Sequence, residues 1–295
     1  MLRPPTPLES QMMLLGCGRS GGASFVGPLD DYTSNLRVAH SVARRLLSSY
    51  TGPLFRVRSS AGGEQDIGYG SDGWADTADL ASFIGANSGF VTIIYDQSGG
   101  GFHQRQTTAA AQMRIVGSGT NDTLGGRLCL YNSSGGINVG YYGDTFTTYT
   151  GTTLSGFSRC LSAAWPYYRE ASVVFDATDD FDNLGRAMLL CTGATTGLWT
   201  SFRKLVLVHL ASINSPSSAD SLISSIYDGA DFTIRDGTNT AAASSSAAWN
   251  INRLLWGMFN AASPYTAINA KRSETFLWTS DQTSNQAAIR AALSY

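Results

Sequence analysis

Hydrophobic and polar positions follow two different periods along the first part of the chain. From Asn35 to Tyr50, apolar residues recur at three- and four-residue spacing, which predicts an amphipathic helix. From Phe55 to Ser60 they alternate with period two, which predicts a half-exposed strand. Asp76 then precedes a short apolar stripe that ends at Gly85, so a capped helix is expected, and the run Phe90 to Tyr95 predicts a buried strand.

The second half of the chain has the pattern of short strands separated by polar turns. The pairs Asp228-Gly229 and Asp236-Gly237 are typical of tight hairpin turns. The chain closes with a strand and then a helix that places Ile289, Ala292 and Leu293 inward. We therefore expect an all-β fold with a few short peripheral helices. The predicted strands are Ala171 to Phe181, Ala187 to Cys191, Leu205 to Leu210, Leu222 to Tyr227, Phe232 to Arg235 and Leu254 to Phe259.

Composition supports a β-rich protein and excludes two classes of partner. Only 14% of the 295 residues are charged, while 32 are glycine and 13 are tyrosine. The net charge of -2 and the scattered arginines provide no field for a polyanion, so no nucleic acid is expected. No run approaches the roughly 18 apolar residues of a membrane span, so no membrane insertion is expected.

The cysteines indicate neither a zinc site nor a disulfide framework. Cys17, Cys129, Cys160 and Cys191 show no C-x-x-C spacing and no clustered histidines accompany them. Buried thiols are the favoured interpretation, because a thiol behaves as a small apolar side chain. Only Cys129 with Cys160 invites a bridge.

Residues 1 to 28 have the composition of an extended arm. The segment contains three prolines in its first seven residues and a glycine-rich exit, so it has too little to form a core. It also lacks the long apolar stretch of an export signal, since its apolar group is only four residues long. That group is expected to attach the protein to a neighbouring subunit, and its members are Met12, Met13, Leu14 and Leu15.

The segment from Leu46 to Gln106 carries a family signature. Its order is YTGP, an arginine-alternating strand, a capped helix, a buried strand and the run YDQSGGG followed by His103. This order resembles the catalytic domain of fungal α-L-arabinofuranosidase B, and it also resembles phage virion surface proteins with a lectin-like (LamG-type) domain. Both resemblances imply a concanavalin-A-like jelly-roll sandwich, here over residues 29–295. In the phage pattern the strand ASVVFDATDDF would follow sooner, so residues 128–170 look inserted.

Candidate ligand-binding residues fall in the glycine-rich loop and in the segment 128–170. Asp96, Gln97 and His103 could meet sugar hydroxyls, although glycines and local capping equally suit a structural loop. Aromatic rings of the second segment could stack on sugars or simply pack in strands. The aromatic candidates are Trp165, Tyr167 and Tyr168.

The chemistry of glycoside hydrolysis requires two carboxyl groups, about 5 Å apart in a retaining enzyme. The fungal family's nucleophile motif His-Met-Glu-Ala and its acid after paired glycines are both missing, so no catalytic residue carries over. The chain has only four glutamates: Glu9, Glu64, Glu170 and Glu274. The aspartates Asp176, Asp179 and Asp180 could bind calcium, but a turn with capping aspartates explains them as well.

These observations predict a structural protein and no enzyme. We expect a homo-oligomeric head decoration or tail fibre on the surface of a phage virion, assembled in the host cytoplasm. Its arm would bind other virion proteins and its sandwich would bind host-surface glycan. The alternatives are a glycoside hydrolase of arabinofuranosidase type and a carbohydrate-binding module.

Overall fold

The computed structural model describes residues 24–132, 140–161, 171–176, 186–192, 198–204, 207–214, 221–237, 239–244, 249–256 and 271–295. Only the backbone is described at 142, 161, 171–176, 186–192, 198–204, 207–214, 221, 249, 250, 252, 255 and 256. These residues form a mostly β fold with a few short helices, consistent with the expected all-β sandwich. Within this part of the chain, no helix is long and apolar enough to cross a membrane.

The described residues contain two α-helices and 22 β-strands. The two α-helices are α1 (Thr77–Ile84) and α2 (Gln286–Ala292). The early strands are β1 (Leu36–Ser41), β2 (Phe55–Ser59), β3 (Glu64–Ile67), β4 (Gly89–Ile94), β5 (Gln104–Arg105), β6 (Arg114–Gly117), β7 (Thr120–Asn121), β8 (Thr123–Leu124), β9 (Arg127–Leu128), β10 (Leu130–Tyr131), β11 (Tyr141–Gly143), β12 (Tyr149–Gly151) and β13 (Leu154–Leu161). The later strands are β14 (Ala171–Asp176), β15 (Arg186–Thr192), β16 (Leu198–Lys204), β17 (Leu207–Asn214), β18 (Ser221–Tyr227), β19 (Asp231–Asp236), β20 (Asn239–Ser244), β21 (Trp249–Trp256) and β22 (Lys271–Trp278).

Strand β22 lies in the middle of the larger hydrogen-bonded array. One of its edges pairs with β13, and the other pairs first with β10 and then with β1, all antiparallel. From β13 the ladder continues through β18 and β19 to β20. A second run passes from β3 through β2 and β4 to β5 and β11, then through β21 and β14 to β15, β16 and β17. Because β22 is hydrogen-bonded on both edges, it fixes the positions of β1, β10 and β13.

The predicted helix from Asn35 to Tyr50 is wrong. Residues Leu36–Ser41 form β1, and the following irregular segment buries Val42, Leu46 and Leu47. The apolar spacing correctly marked buried positions, but it did not decide between helix and strand. The partner that satisfies the β1 backbone is β22, more than 230 residues later, and Ser41 pairs with Glu274.

The other early elements confirm the pattern-based predictions. Strand β2 alternates buried and half-buried residues, as its period of two required. Asp76 caps α1, because its Oδ1 accepts hydrogen bonds from the backbone N–H groups of Ala78 and Asp79 at 3.1 and 2.9 Å. Gly85 ends α1 with a φ of +58°, a value that favours glycine.

The hairpins and the terminal helix of the second half are also confirmed. Asp228 and Asp236 stand at the turns that join β18 to β19 and β19 to β20. Ile289 and Leu293 are buried as predicted, whereas Ala292, which was also expected to face inward, is half-buried. The predicted strand from Leu205 to Leu210 is observed as β17, which begins two residues later and ends four residues later, and the alanine-rich stretch after residue 238 forms β20.

The described residues between 128 and 161 belong to the central β-structure of the fold. Strand β13 pairs on both of its edges, with β18 and β22. The buried hydroxyl of Tyr141 donates to the Val91 carbonyl at 3.0 Å and accepts from the Met113 N–H at 3.2 Å, and burial raises the pKa of Tyr141. Cys129 and Cys160 are buried thiols, in agreement with the favoured interpretation. This segment therefore contributes part of the central packing.

Replacing Tyr141 by Phe is expected to destabilise the fold by about 1–3 kcal/mol, because it leaves a buried N–H and a buried carbonyl unsatisfied. Urea unfolding followed by circular dichroism measures the change. The matched control is Tyr32→Phe: in the described structure the Tyr32 hydroxyl makes no hydrogen bond, so about 0.5 kcal/mol or less is expected. Equal losses in the two variants would contradict the role given to the Tyr141 hydroxyl.

Candidate functional site

The carboxylate of Asp96 holds the glycine-rich loop against β1. The residue follows β4 and is only 3% exposed. Its Oδ1 accepts from the backbone N–H groups of Ala39 and Ser98 at 2.9 and 3.0 Å. Its Oδ2 accepts from the Ser98 hydroxyl at 2.8 Å and from the Phe102 N–H at 3.1 Å. Both oxygens are thus engaged by the protein itself.

Gln97 and His103 are fixed by the same loop. The Gln97 Oε1 accepts from the Leu46 N–H at 2.8 Å, and its Nε2 donates to the Arg44 carbonyl at 3.1 Å. The His103 Nδ1 accepts from the Asp96 N–H at 3.0 Å, which requires that nitrogen to be unprotonated. Burial, and then the positive charge of Arg105, lower the pKa of His103.

A second histidine contacts the loop from the β1 side. The Nε2 of His40 lies 2.8 Å from the Phe102 carbonyl oxygen, so it donates in the tautomer that carries its proton there. Burial lowers the pKa of His40, against an opposing effect of Asp96. Burial thus disfavours the charged form of both histidines.

The structure brings three of the proposed ligand-binding residues together, since Asp96, Gln97 and His103 share one loop. Their contacts are structural ones, and their binding of sugar remains a prediction. The other proposed residues lie outside the described residues or outside the described side chains. They are Trp165, Tyr167 and Tyr168, the arm residues Met12, Met13, Leu14 and Leu15, and the calcium candidates Asp176, Asp179 and Asp180. The part of the chain with described positions contains no group of three metal-binding side chains.

A buried charge cluster lies on β22 beside this loop. Glu274 is fully buried and forms an ion pair with the Arg44 Nε at 2.8 Å and with the Arg159 Nε at 3.7 Å. Both arginines also donate from Nη2 to the Leu293 carbonyl, at 2.9 and 2.7 Å. The Tyr295 ring lies 4.9 Å from the Arg44 guanidinium and 3.9 Å from that of Arg159. Since Glu274 is enclosed by arginines, it has no access to a substrate.

A cleft of about 490 Å³ opens on the other side of Arg44. Trp74 lies in its wall, with the Arg127 guanidinium 3.6 Å from the ring centroid. A second cleft of about 380 Å³ adjoins it and shares Asp72 and Trp74. The other polar side chains of the first cleft are Asp76, Thr77, Asn121 and Thr123. Sequence reasoning missed this surface; the available signal was a tryptophan placed directly after the polar turn residues Asp72 and Gly73, and the structure shows this tryptophan half-buried.

Comparison with known proteins shows that part of this chain is similar in sequence to arabinofuranosidases. Residues 31–153 match the family model described as "Alpha-L-arabinofuranosidase B, catalytic". An arabinofuranosidase/β-xylosidase of Trichoderma koningii is 39% identical over 102 residues, which cover 33% of this chain and 20% of that protein. An α-L-arabinofuranosidase of Hypocrea jecorina is equally similar, and a probable α-L-arabinofuranosidase B of Aspergillus flavus is 42% identical over 97 residues. The matched region thus spans about a fifth of the length of these curated relatives.

Solved structures extend the likeness to most of the fold. An arabinofuranosidase in complex with arabinofuranosyl-α-1,2-xylobiose superposes with a TM-score of 0.63 at 19% identity, covering 90% of this chain and 65% of that one. A mutant GH54 α-L-arabinofuranosidase soaked with 4-nitrophenyl α-L-arabinofuranoside gives a TM-score of 0.65 at 18% identity, with the same coverage. At these identities the likeness shows the fold alone.

These findings correct several expectations drawn from the sequence. The signature matches the fungal arabinofuranosidases, and the phage LamG-type resemblance finds no support. The virion function, the virion partners and the virion-surface location are therefore wrong. The expectation that the chain is no enzyme is overturned by the same matches to a catalytic domain.

The Arg44–Glu274–Arg159 cluster leads to a stability prediction. Glu274→Gln is expected to cost about 3–5 kcal/mol of unfolding free energy, because it leaves two buried guanidinium groups without their counter-charge. The control is Asp66→Asn, which breaks the exposed pair with Arg56 and should cost about 1 kcal/mol or less. Chemical denaturation of both variants checks the prediction; a Glu274→Gln protein as stable as Asp66→Asn would contradict it.

The two histidines lead to a pH prediction. Their folded-state pKa values lie below those of the unfolded chain, so the unfolded state binds more protons as the pH falls below about 6.5. Stability should be complete above that pH and decline below it. Urea unfolding between about pH 7.5 and about pH 5.5 measures the slope. His103→Gln should reduce the slope; an unchanged slope would show that Nδ1 of His103 does not need to stay unprotonated.

Proposed function

We propose that this chain is a glycoside hydrolase of arabinofuranosidase type, which releases α-L-arabinofuranosyl units from glycans. The observation that carries the proposal is the match of residues 31–153 to an arabinofuranosidase catalytic-domain model. Relatives that share about 39% identity in that region are named for this activity. The likeness in fold extends over 90% of this chain, well beyond the matched segment.

The finer architecture belongs to the same proposal. We take residues 29–295 as one concanavalin-A-like jelly-roll domain preceded by an arm of residues 1–28. Two observations support this arrangement. The antiparallel ladders of β1 and β13 meet at β22, and Leu29, the first residue of the proposed domain, is fully buried. The wide clefts beside Trp74 give such a domain a surface at which a sugar chain can approach.

The reaction needs one carboxyl group that acts as acid and a second that acts as nucleophile or base. Asp96 and Glu274 are excluded from these roles, because both are buried and their oxygens already accept from the protein. Two residues of the loop then have a positioning role, since Asp96 and His103 fix the backbone between β4 and β5. We take as first candidates for the catalytic pair the carboxylates of the segment 170–182, which are Glu170, Asp176, Asp179, Asp180 and Asp182.

The direct test uses the purified full chain and 4-nitrophenyl α-L-arabinofuranoside. We expect release of 4-nitrophenol above the uncatalysed rate. Among the variants Glu170→Gln, Asp176→Asn, Asp179→Asn, Asp180→Asn and Asp182→Asn, those that remove a catalytic carboxyl should lose about 10²–10⁴-fold in rate.

The matched control is Asp66→Asn, which removes a carboxylate from an exposed ion pair and whose rate should stay within about twofold of the parent. A folded chain that releases no 4-nitrophenol, beside an active fungal arabinofuranosidase, would overturn the proposed function. If turnover persists in all five variants, the assignment of the carboxyl groups is wrong while the activity stands.

A further inference from the structure

Arg127 differs from ten other arginines of the described structure in the way its side chain is held. Its guanidinium stacks on Trp74 at 3.6 Å, and within the described residues it has no ion pair and no hydrogen bond. The others with assigned contacts all donate to a carboxylate, an amide or a backbone carbonyl. Such arginines are Arg37, Arg44, Arg45, Arg56, Arg58, Arg105, Arg114, Arg159, Arg235 and Arg290.

Stacking fixes the orientation of Arg127 while leaving its donors available. A guanidinium over an aromatic face is held by cation–π attraction and still presents its planar N–H groups at the edge. Two further side chains contact Trp74. The Arg44 guanidinium lies 5.2 Å from its ring centroid, and the Tyr295 ring packs edge-on against it with the two ring centroids 5.2 Å apart. The donors of Arg127 are thus placed in the cleft before any ligand arrives.

Acceptors line the same cleft. One oxygen of Asp72 accepts from the Trp74 N–H, and one oxygen of Asp76 caps α1. In the described structure the second oxygen of each carboxylate makes no hydrogen bond, and neither do the side chains of Asn121 and Thr123. Two carboxylates beside one guanidinium disfavour a phosphate or an acidic sugar, because like charges would lie in contact. Donors and acceptors in one cleft suit hydroxyl groups, which do both.

The shape of the surface indicates a chain rather than a single small molecule. The cleft volume of about 490 Å³ falls in the range of ligand sites. The adjoining cleft of about 380 Å³ continues past the Asp72-Gly73-Trp74 turn and is lined by Phe25 and Tyr32 as well. A ligand that crosses this turn would contact both clefts.

We propose that this groove binds the backbone of a neutral, hydroxyl-rich polysaccharide, with Arg127 and Asp72 as its hydrogen-bonding residues. The proposal rests on the proposed function, which supplies a glycan as the substrate class, and it adds two residues, Arg127 and Asp72, that would bind the polymer. Held at this groove, a long substrate would stay bound while its side chains are cleaved one after another.

The test compares binding and turnover in the full chain. Affinity electrophoresis in gels containing soluble arabinose-substituted xylan measures binding to the polymer. Arg127→Gln and Asp72→Asn should weaken that binding by about tenfold or more, since each removes charge-assisted hydrogen bonds. Asn at position 72 keeps the acceptor for the Trp74 N–H, so the turn is preserved. Release of 4-nitrophenol from the small arabinofuranoside, measured on the same preparations, reports the proposed function separately from binding to the polymer.

Arg56→Gln is the matched control, since Arg56 is an exposed arginine that does not line either cleft. The proposal is overturned if the parent protein does not bind the polymer, or if Arg127→Gln binds it as well as Arg56→Gln does. Polymer binding that depends on Arg127 in a chain without arabinofuranosidase activity would support the groove and refute the proposed function.

Discussion

The carboxylate of Glu274 forms ion pairs with two arginines that come from different parts of the chain. Arg44 comes from the segment after β1, Arg159 comes from β13, and Glu274 stands on the strand that pairs with both. Taking these charges out of water is costly, so the cluster is stable only when every partner is in place. Two positive groups and one negative group leave a residual charge, which the Leu293 carbonyl and the Tyr295 ring offset.

This cluster connects the interior to the two surfaces that matter for function. From Arg44 a stack of alternating cations and rings runs outward through Trp74 to Arg127. On the other side, the Arg44 carbonyl accepts from Gln97, the neighbour of Asp96 in the glycine-rich loop. The geometry of the cleft and the geometry of the loop therefore share one anchor. A substitution of Glu274 would therefore disturb the geometry of both the cleft and the glycine-rich loop.

Sequence reasoning succeeded where the determining contacts are local. Asp76, Gly85 and the period of β2 specify their elements within a few residues, and all three were predicted correctly. It failed at β1, because the hydrogen-bond partner that makes Leu36–Ser41 a strand lies at the far end of the chain. The cleft was missed for a related reason: Trp74 and Arg127 meet only after the β8–β9 hairpin folds back, and no spacing in the sequence records that contact.

The functional error had a different origin. The signature around Asp96 was assigned to two kinds of protein, and its described residues make structural contacts, which gave no chemical criterion for choosing between them. The absence of the fungal nucleophile motif was then given more weight than the identity of the matched segment. A motif that fixes backbone geometry is a poor guide to chemistry, because many active sites can be built on the same frame.

The sequence separation between β22 and its two partner strands governs when the fold can form. On a ribosome, β1 and β13 emerge before the strand that pairs with both, so the central ladder cannot close until β22 has also been synthesised. Contacts between such distant residues slow folding, because a long loop must be ordered before they form. Until then the edges of β1 and β13 remain exposed and open to pairing with other chains. Recovery of soluble protein should therefore depend on synthesis rate and chaperone supply more than on the stability of the finished domain.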